Sequence, residues 1–196
     1  MILLLSKTHI CLFVYFSDLR LPSVSVREKN ILQVFETWGP EYKIEFDITV
    51  TRFAEATHGV LGLTSVFSFT RKEDDESRIP GTKGWGIPGF HIDNENAQFR
   101  IDEQQINNTN YWSPPTLSLP IDLNKKYHFE IQTSLQSMGA GPNRYTFKVF
   151  VDRELKLEKD FRKSKTPLNA VLYASNDLSP SFDSRFGSLE NFTVMR

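Results

Sequence analysis

The sequence predicts an all-β protein, an antiparallel β-sandwich of the jelly-roll type with roughly 10–12 strands. Five separate stretches alternate apolar and polar residues with period two, and none shows a convincing helical period of 3.6 residues. The clearest is 42–50, YKIEFDITV, in which every even-numbered residue is apolar. Successive side chains of a strand point to opposite faces, so such stretches indicate sheets with one buried and one wet face. Sixteen Phe against three Met also favour rigid packing of sheet on sheet.

The first half of the chain divides into strands and polar turns. The predicted strands are, in order, 25–36, 42–51, 60–69, 90–93 and 98–101. The residues of the second strand expected in the core are Tyr42, Ile44, Phe46, Ile48 and Val50, whereas Glu45 and Asp47 are expected to face away from it. The segment 71–84 is too polar for a core element, and Asn94 to Ala97 are predicted to turn a hairpin. Residues 103–120 are expected to be irregular.

The second half is equally regular. Its predicted strands are 127–132, 145–152, 155–158, 170–174 and 187–194. Asp152 and Arg153 are expected to turn the chain between the second and the third of these. Phe150 is the one apolar residue on the polar face of its strand. Residues 170–174, AVLYA, are apolar on both parities, as in a strand that is covered on both faces.

We divide the chain into an N-terminal segment, 1–24, and a single β-sandwich domain, 25–196. Residues 1–16 are apolar, but Lys7 and His9 interrupt them and no small-residue cleavage site follows, so this segment is either a secretory leader or a disordered start. It is too short and too broken to span a bilayer. The only cysteine, Cys11, lies within it, so cysteine usage does not assign a redox compartment.

Two sequons point to an extracellular glycoprotein. Asn107 and Asn191 each begin an Asn-x-Thr sequence, the first in a polar loop and the second in a terminal strand. In that strand Phe192 and Val194 share one parity, so Asn191 and Thr193 are expected to face solvent. We therefore expect a secreted, N-glycosylated protein.

The charge balance argues against two classes of partner. The net charge is −1 and no basic cluster is present, so the sequence offers no electrostatic footprint for nucleic acid or an anionic membrane. We expect neither nucleic-acid binding nor membrane insertion.

Several blocks of the chain resemble the concanavalin A-like lectin/glucanase superfamily, particularly its laminin G-like modules. The blocks are WGPEYKIEFD at 38–47, RIPG at 78–81 before FHI at 90–92, LNKKYHFEI at 123–131, YTFKVFVD at 145–152, and VLYASN at 171–176 leading to GSLENF at 187–192. The resemblance runs from about residue 36 to residue 194 and implies a concanavalin A-like sandwich. Modules of this kind bind glycans, sulfated polysaccharides or proteins, and others hydrolyse β-glucans.

Catalysis is not expected. The hydrolytic branch of the superfamily resembles laminarinases. Its members carry the motif Glu-x-Asp-x-x-Glu, or a version one residue shorter, on one strand, so that both glutamates enter one cleft. Glu45 and Asp47 match the start, but Thr49 and Val50 stand where the second Glu is needed. His58, His91 and His128 have no partners with zinc-ligand spacing, and no nucleophile elbow is present. His91 and His128 are expected to face solvent.

No cofactor is expected, although two oxygen-rich loops leave calcium open as an alternative. One is the acidic run 72–76, KEDDE, and the other is the predicted hairpin tip 93–96, DNEN. The spacing of an EF-hand is absent from both, and such runs are usually solvated loops.

The predicted ligand site combines aromatic and polar side chains. Sugars are bound by stacking on aromatic rings while amides and carboxylates orient their hydroxyl groups. The residues assigned to this site are Trp85, His91, Asp93, Asn94, Asn110, Tyr111 and Trp112. The alternative for Trp112, which precedes Ser113 and two prolines, is that it seals the edge of the sandwich.

The function predicted from these observations is a non-enzymatic, extracellular recognition module that binds a glycan. The alternative is a structural or adhesion domain that binds proteins or assembles with itself through a sheet face. A glycoside hydrolase is third and disfavoured. The sequence leaves the oligomeric state open.

Overall fold

The computed structural model describes residues 14–16, 31–38, 41–55, 62–71, 89–102, 116–137, 143–163, 168–173 and 182–195. In this part of the chain there are twelve β-strands and no helix. The strands are β1 (Val14–Phe16), β2 (Ile31–Trp38), β3 (Tyr42–Val50), β4 (Leu63–Arg71), β5 (Gly89–Asp93), β6 (Gln98–Asp102), β7 (Leu117–Pro120), β8 (Lys126–Ser137), β9 (Asn143–Val151), β10 (Glu154–Lys163), β11 (Leu168–Tyr173) and β12 (Gly187–Met195).

The strands form two six-stranded sheets that pack as a sandwich. Sheet A has the order β1-β12-β3-β8-β9-β10, and sheet B has the order β2-β11-β4-β5-β6-β7. Every pair of neighbouring strands is antiparallel. The predicted fold class, an all-β antiparallel sandwich, is confirmed. No helix in the described segments is long and apolar enough to cross a membrane.

The core lies between the sheets and is rich in phenylalanine. The even-numbered residues of β3 are all buried, with Ile44, Phe46, Ile48 and Val50 at 0% exposure, while its odd-numbered residues are partly exposed. The predicted inward-facing residues of β3 are therefore confirmed. The ring of Phe46 lies 4.9 Å from that of Phe90 and 5.4 Å from that of Phe129, so a side chain of sheet A contacts rings of both sheets.

Two elements differ from the prediction. Leu117–Pro120 forms β7 within a segment that was expected to be irregular, because four residues are too few to show alternation. In β4 the sequence places Leu63 and Phe67 on one face, but a β-bulge between Ser65 and Phe67 inserts one residue. Leu63 consequently pairs with Asp93, while Phe67 packs in the core, since a bulge reverses the parity of the residues beyond it.

The edges of the sheets are also informative. β2 is an edge strand of sheet B. β1 lies in the predicted N-terminal segment 1–24 and pairs with the end of β12 through Val14 and Val194. That pairing attaches three residues of the N-terminal segment to sheet A.

Four segments meet at one end of the sandwich, which we call the turn end. Thr51 donates a backbone hydrogen bond to Phe186 (2.8 Å), and the Ala54 amide donates to the Asn94 side chain (3.2 Å). The segment 121–125 joins them through two backbone hydrogen bonds, from Asn124 N to Val50 O and from Ile121 N to Ala97 O. The turn end therefore consists of 51–55, 94–97, 121–125 and 182–186.

We call the opposite end of the sandwich the far end. There, the end of one described strand of sheet B lies next to the beginning of the following strand. β4 ends and β5 begins there, and β6 ends where β7 begins. Gly89, the first residue of β5, is the register partner of Asp102, the last residue of β6.

Candidate functional site

The predicted ligand residues fall into two groups. Trp85, Asn110, Tyr111 and Trp112 lie outside the described residues, as does the sequon Asn107. His91, Asp93 and Asn94 lie along the second half of β5 and the turn that follows it. The connections that carry the first group leave sheet B at the far end, whereas the β5–β6 turn belongs to the turn end.

His91 does not face solvent as predicted. Its side chain lies on the outer face of sheet B, opposite Ser65 and Arg100, but the residue is only 1% exposed. Ser65 and Leu63 on the same face are also buried. Burial, followed by the charge of Arg100, lowers the pKa of His91 to about 3, so the imidazole is neutral near pH 7. The alternation of β5 identified the face but not whether that face is covered.

Asn94 ties two neighbouring segments to the hairpin. Its side-chain nitrogen donates to the carbonyl of Gly62 (2.7 Å) and to the Thr64 hydroxyl (3.0 Å), and its side-chain oxygen accepts from the Ala54 amide. These contacts occupy both ends of the amide. In this arrangement Asn94 positions the turn end rather than presenting a free amide to a ligand.

Asp93 is engaged within the predicted hairpin, which is confirmed at 94–97. One carboxylate oxygen accepts from the backbone amide of Asn96 (3.1 Å) and the other from the Asn96 side chain (2.8 Å). Ala97 then adopts a positive φ of 52°, which completes the turn into β6. Within the described residues, no group of three or more His, Cys, Asp or Glu side chains could hold a metal ion.

A polar cluster that the sequence did not reveal occupies the outer face of sheet A and is centred on Asp47. One carboxylate oxygen of Asp47 lies 2.7 Å from His128 Nδ1. The other accepts from Asn191 Nδ2 at 2.7 Å and lies 3.2 Å from Lys126 Nζ. Lys126 also pairs with Glu190 at 2.8 Å. Three strands contribute to this cluster because β12, β3 and β8 are adjacent in sheet A.

The contacts of Asp47 lower the pKa of its carboxyl group. Burial alone would raise the pKa of the Asp47 carboxyl, but the hydrogen bonds from His128, Asn191 and Lys126 outweigh it and hold the pKa below its ordinary value of 3.8. The hydrogen bond to Glu190, followed by that to Asp47, raises the pKa of the Lys126 ammonium. At neutral pH the Asp47 carboxylate and the Lys126 ammonium are therefore both charged.

Lys43 bridges two carboxylates on the same face. Its ammonium lies 2.7 Å from Glu45 and 3.1 Å from Glu130, which are register partners on β3 and β8. A glycosidase uses two neighbouring carboxylic acids, but here one lysine forms ion pairs with both of them on the outer face of the sheet. On β3 itself, Val50 points into the core, so no second acid enters a cleft from this strand.

Asn191, the second predicted sequon, is exposed on this face as expected. It has a positive φ of 52° and lies in the bulge between Glu190 and Thr193, where Asn is one of the few residues that adopts this conformation at little strain. Thr193 is less accessible, since its hydroxyl oxygen is buried.

No protein-family model and no curated protein sequence matches this chain. Solved structures do match over most of the chain. The carbohydrate binding module CBM66 from Bacillus subtilis is 15% identical with a TM-score of 0.40, and the alignment covers 81% of this chain and 76% of that one.

Two further matches have similar values. The carbohydrate recognition domain of Emp47p is 15% identical with a TM-score of 0.43, covering 83% of this chain and 73% of that one. Domain 4 of AbnA, an extracellular arabinanase from Geobacillus stearothermophilus, was solved with arabinotriose. It is 12% identical with a TM-score of 0.43, covering 94% and 75%.

Proposed function

We propose that this chain is a non-enzymatic, extracellular recognition module that binds a glycan at the far end of sheet B. The observation that carries the proposal is the pairing of Gly89 with Asp102. The connection 72–88 enters β5 at Gly89, and the connection 103–115 leaves β6 at Asp102. The two stretches that hold the predicted aromatic and amide residues therefore start from adjacent backbone positions.

The chemistry of those stretches is that of a sugar site. One contains Trp85, and the other contains Asn110, Tyr111 and Trp112. Aromatic rings stack on the C–H faces of sugars, and an amide fixes hydroxyl groups. Binding residues occur most often on loops that a rigid scaffold holds, and the sandwich provides such a scaffold. We also propose that the module is laminin G-like and extracellular, and that Asn191 carries a glycan.

The contacts on sheet A support the non-enzymatic part. Both carboxylate oxygens of Asp47 are occupied by hydrogen-bond donors, and Glu45 is paired with Lys43. A catalytic acid and nucleophile need a shared, sheltered space for the sugar between them. The outer face of β3 instead carries a hydrogen-bonded network that crosses three strands.

A second candidate function is protein binding or self-assembly through sheet A. Leu155 is 44% exposed, and its register partner Phe150 is partly exposed on the same outer face. Exposed apolar pairs of this kind are found at interaction surfaces when they extend into a larger patch. Only the presence of this pair favours the alternative.

The test is a glycan array with and without calcium, followed by binding and melting of one variant. We expect Trp112→Ala to abolish binding to the glycan identified on the array while changing stability by about 1 kcal/mol or less. Leu155→Ala is the matched control at the other sheet and should leave binding intact.

The opposite outcome is equally clear. If Trp112 seals the sandwich, its truncation should destabilise the protein by roughly 3 kcal/mol or more. A large stability loss with glycan binding retained would overturn the proposed site. Loss of self-association in Leu155→Ala, with no glycan bound on the array, would favour the second function.

A further inference from the structure

The turn end carries two arginines that share one aromatic ring. The guanidinium carbon of Arg185 lies 5.3 Å from the centroid of Phe186, and that of Arg52 lies 5.6 Å from the same centroid. Phe186 itself is largely buried. A guanidinium over an aromatic face is attracted to the ring electrons, so the ring holds both cations in place.

Arg185 is fixed and neutralised by a buried acid. The Asp183 carboxylate, whose side chain is 1% exposed, accepts from Arg185 Nη2 at 2.7 Å and from Arg185 Nε at 3.0 Å. It also accepts from the backbone amide of Arg185 (2.8 Å). The hydrogen bond that Arg185 donates to Asp183 raises the pKa of the Arg185 guanidinium. This bidentate pair uses Nε and Nη2, and no other group in the described part of the chain bonds to Nη1 of Arg185.

Arg52 is positioned without being neutralised. Its Nε donates to the carbonyl of Arg185 at 2.7 Å, and its backbone amide points to the carbonyl of Phe186. Among the described residues it makes no ion pair. Arg52 is exposed, so its guanidinium, which the Nε hydrogen bond anchors, is accessible to a ligand from solvent.

The charges of this cluster leave one positive charge uncompensated. Arg52 and Arg185 contribute two positive charges and Asp183 contributes one negative charge. Two cations placed against one ring repel each other, and an anion between or beside them would relieve that repulsion. The planar fork of arginine matches the two oxygens of a carboxylate or of a sulfate ester.

We propose that Arg52, Arg185 and Phe186 form a subsite for a single anionic group, a carboxylate or a sulfate ester, of an acidic sugar. The choice of a sugar rests on the proposed function. The subsite itself lies at the turn end, at the opposite end of the sandwich from Gly89 and Asp102, where the connections 72–88 and 103–115 meet sheet B. It therefore adds a second point of contact that distinguishes acidic from neutral glycans.

The test is a titration of the whole protein followed by NMR of the arginine Nε–H signals at constant ionic strength. The probes are glucuronate for the carboxylate, glucose 6-sulfate for the sulfate ester, and glucose as the neutral control. We expect saturable shifts of the Arg52 and Arg185 signals with one or both acidic sugars and none with glucose. Arg153, an exposed arginine in the β9–β10 turn, is the matched control and should not shift.

Two variants separate charge from geometry. Arg52→Ala should weaken binding of the acidic sugar about tenfold or more, because it removes a charged hydrogen-bond donor. Arg52→Lys keeps the charge but not the fork, so it should also bind more weakly than the parent protein. Arg153→Ala should bind as the parent does.

The outcomes distinguish this subsite from the proposed glycan site. Shifts that persist in Trp112→Ala support the subsite whatever becomes of the far end. Equal, unsaturable shifts of Arg153 and Arg52 would show only general attraction of anions and would overturn the proposal. An unchanged affinity in Arg52→Ala would overturn it as well. If Trp112→Ala abolished glycan binding while the Arg52 signal did not shift with either acidic sugar, the proposed function would be supported and the subsite would be overturned.

Discussion

At the scale of single residues, Phe46 is the side chain that joins the two sheets in the core. Phe46 is fully buried and contacts aromatic rings on both sheets, among them Phe67 at 5.3 Å between centroids. Aromatic pairs of this geometry stabilise beyond the area that they bury. The alternation of β3 was sufficient to place Phe46 inside, because any one-residue slip would have exposed the whole apolar set.

We predict that Phe46→Ala lowers the free energy of unfolding by about 3–5 kcal/mol, since it removes a large side chain from a closely packed core. Urea unfolding measures this value. Leu155→Ala, at an exposed position, should stay within about 0.5 kcal/mol of the parent. A small effect of Phe46→Ala would contradict the assignment of this ring to the centre of the core.

Asp47 illustrates what residue patterns miss. Its pKa is lowered in the folded protein, so its charge contributes stability that is fully present above the ordinary value of 3.8. That stability is lost as the pH falls through the lower, folded-state pKa. We predict that Asp47→Asn reduces stability at about pH 6 and has a smaller effect at about pH 2, because the carboxylate loses its charge as the pH falls through the folded-state pKa.

The measurement is urea unfolding of both proteins across this pH range. Glu45→Gln is the control on the same face of the same strand, where the carboxylate pairs with Lys43 in a more exposed setting. If the difference between parent and Asp47→Asn were the same at both pH values, the hydrogen bonds to the ionised carboxylate would not be the source of the stability.

At the scale of elements, turns were predicted well where their chemistry is local. The hairpins at 94–97 and at Asp152-Arg153 both occur where expected. In the second, Asp152 and Arg153 have φ values of 52° and 68°, as a two-residue turn of type I′ requires. Asp152 also accepts from the His128 amide at 2.9 Å and donates its own amide to the His128 carbonyl, which secures the turn against β8.

The left-handed conformation of Arg153 strains the second hairpin, so a substitution at this position can stabilise the protein. We predict that Arg153→Gly raises the free energy of unfolding by about 1 kcal/mol, because a residue with a Cβ is strained at this φ and glycine is not. Thermal or urea unfolding would reveal the gain. Arg153→Ala removes the same side chain but keeps the Cβ, so it should show no comparable gain. A loss of stability in the glycine variant would refute the argument from φ.

At the scale of the whole molecule, the arrangement of acids argues against glycoside hydrolysis. Glu45 and Glu130 lie on an open sheet face and share Lys43. We predict no turnover of laminarin in a reducing-sugar assay. Turnover that disappears on Glu45→Gln would contradict this, and Glu130, which shares Lys43 with Glu45, would be the next acid to mutate. Turnover unaffected by Glu45→Gln would point to a contaminating enzyme.

The sequence by itself determined the all-β class, the inward residues of β3 and the two hairpins. These depend on alternation and turn preferences, which act over a few neighbouring residues. It did not reveal β7, because four residues give too short a pattern, or the bulge in β4, which depends on the pairing of β4 with β5.

Only the tertiary structure decided the contacts between distant parts of the chain. Asp47 meets His128 across 81 residues and Asn191 across 144, because β3 lies between β8 and β12 in sheet A. Arg52 meets Arg185 across 133 residues at the turn end. The burial of His91 was likewise decided by the tertiary structure. A period of two tells which face a side chain takes, but the strand order and the packing on that face determine what it touches.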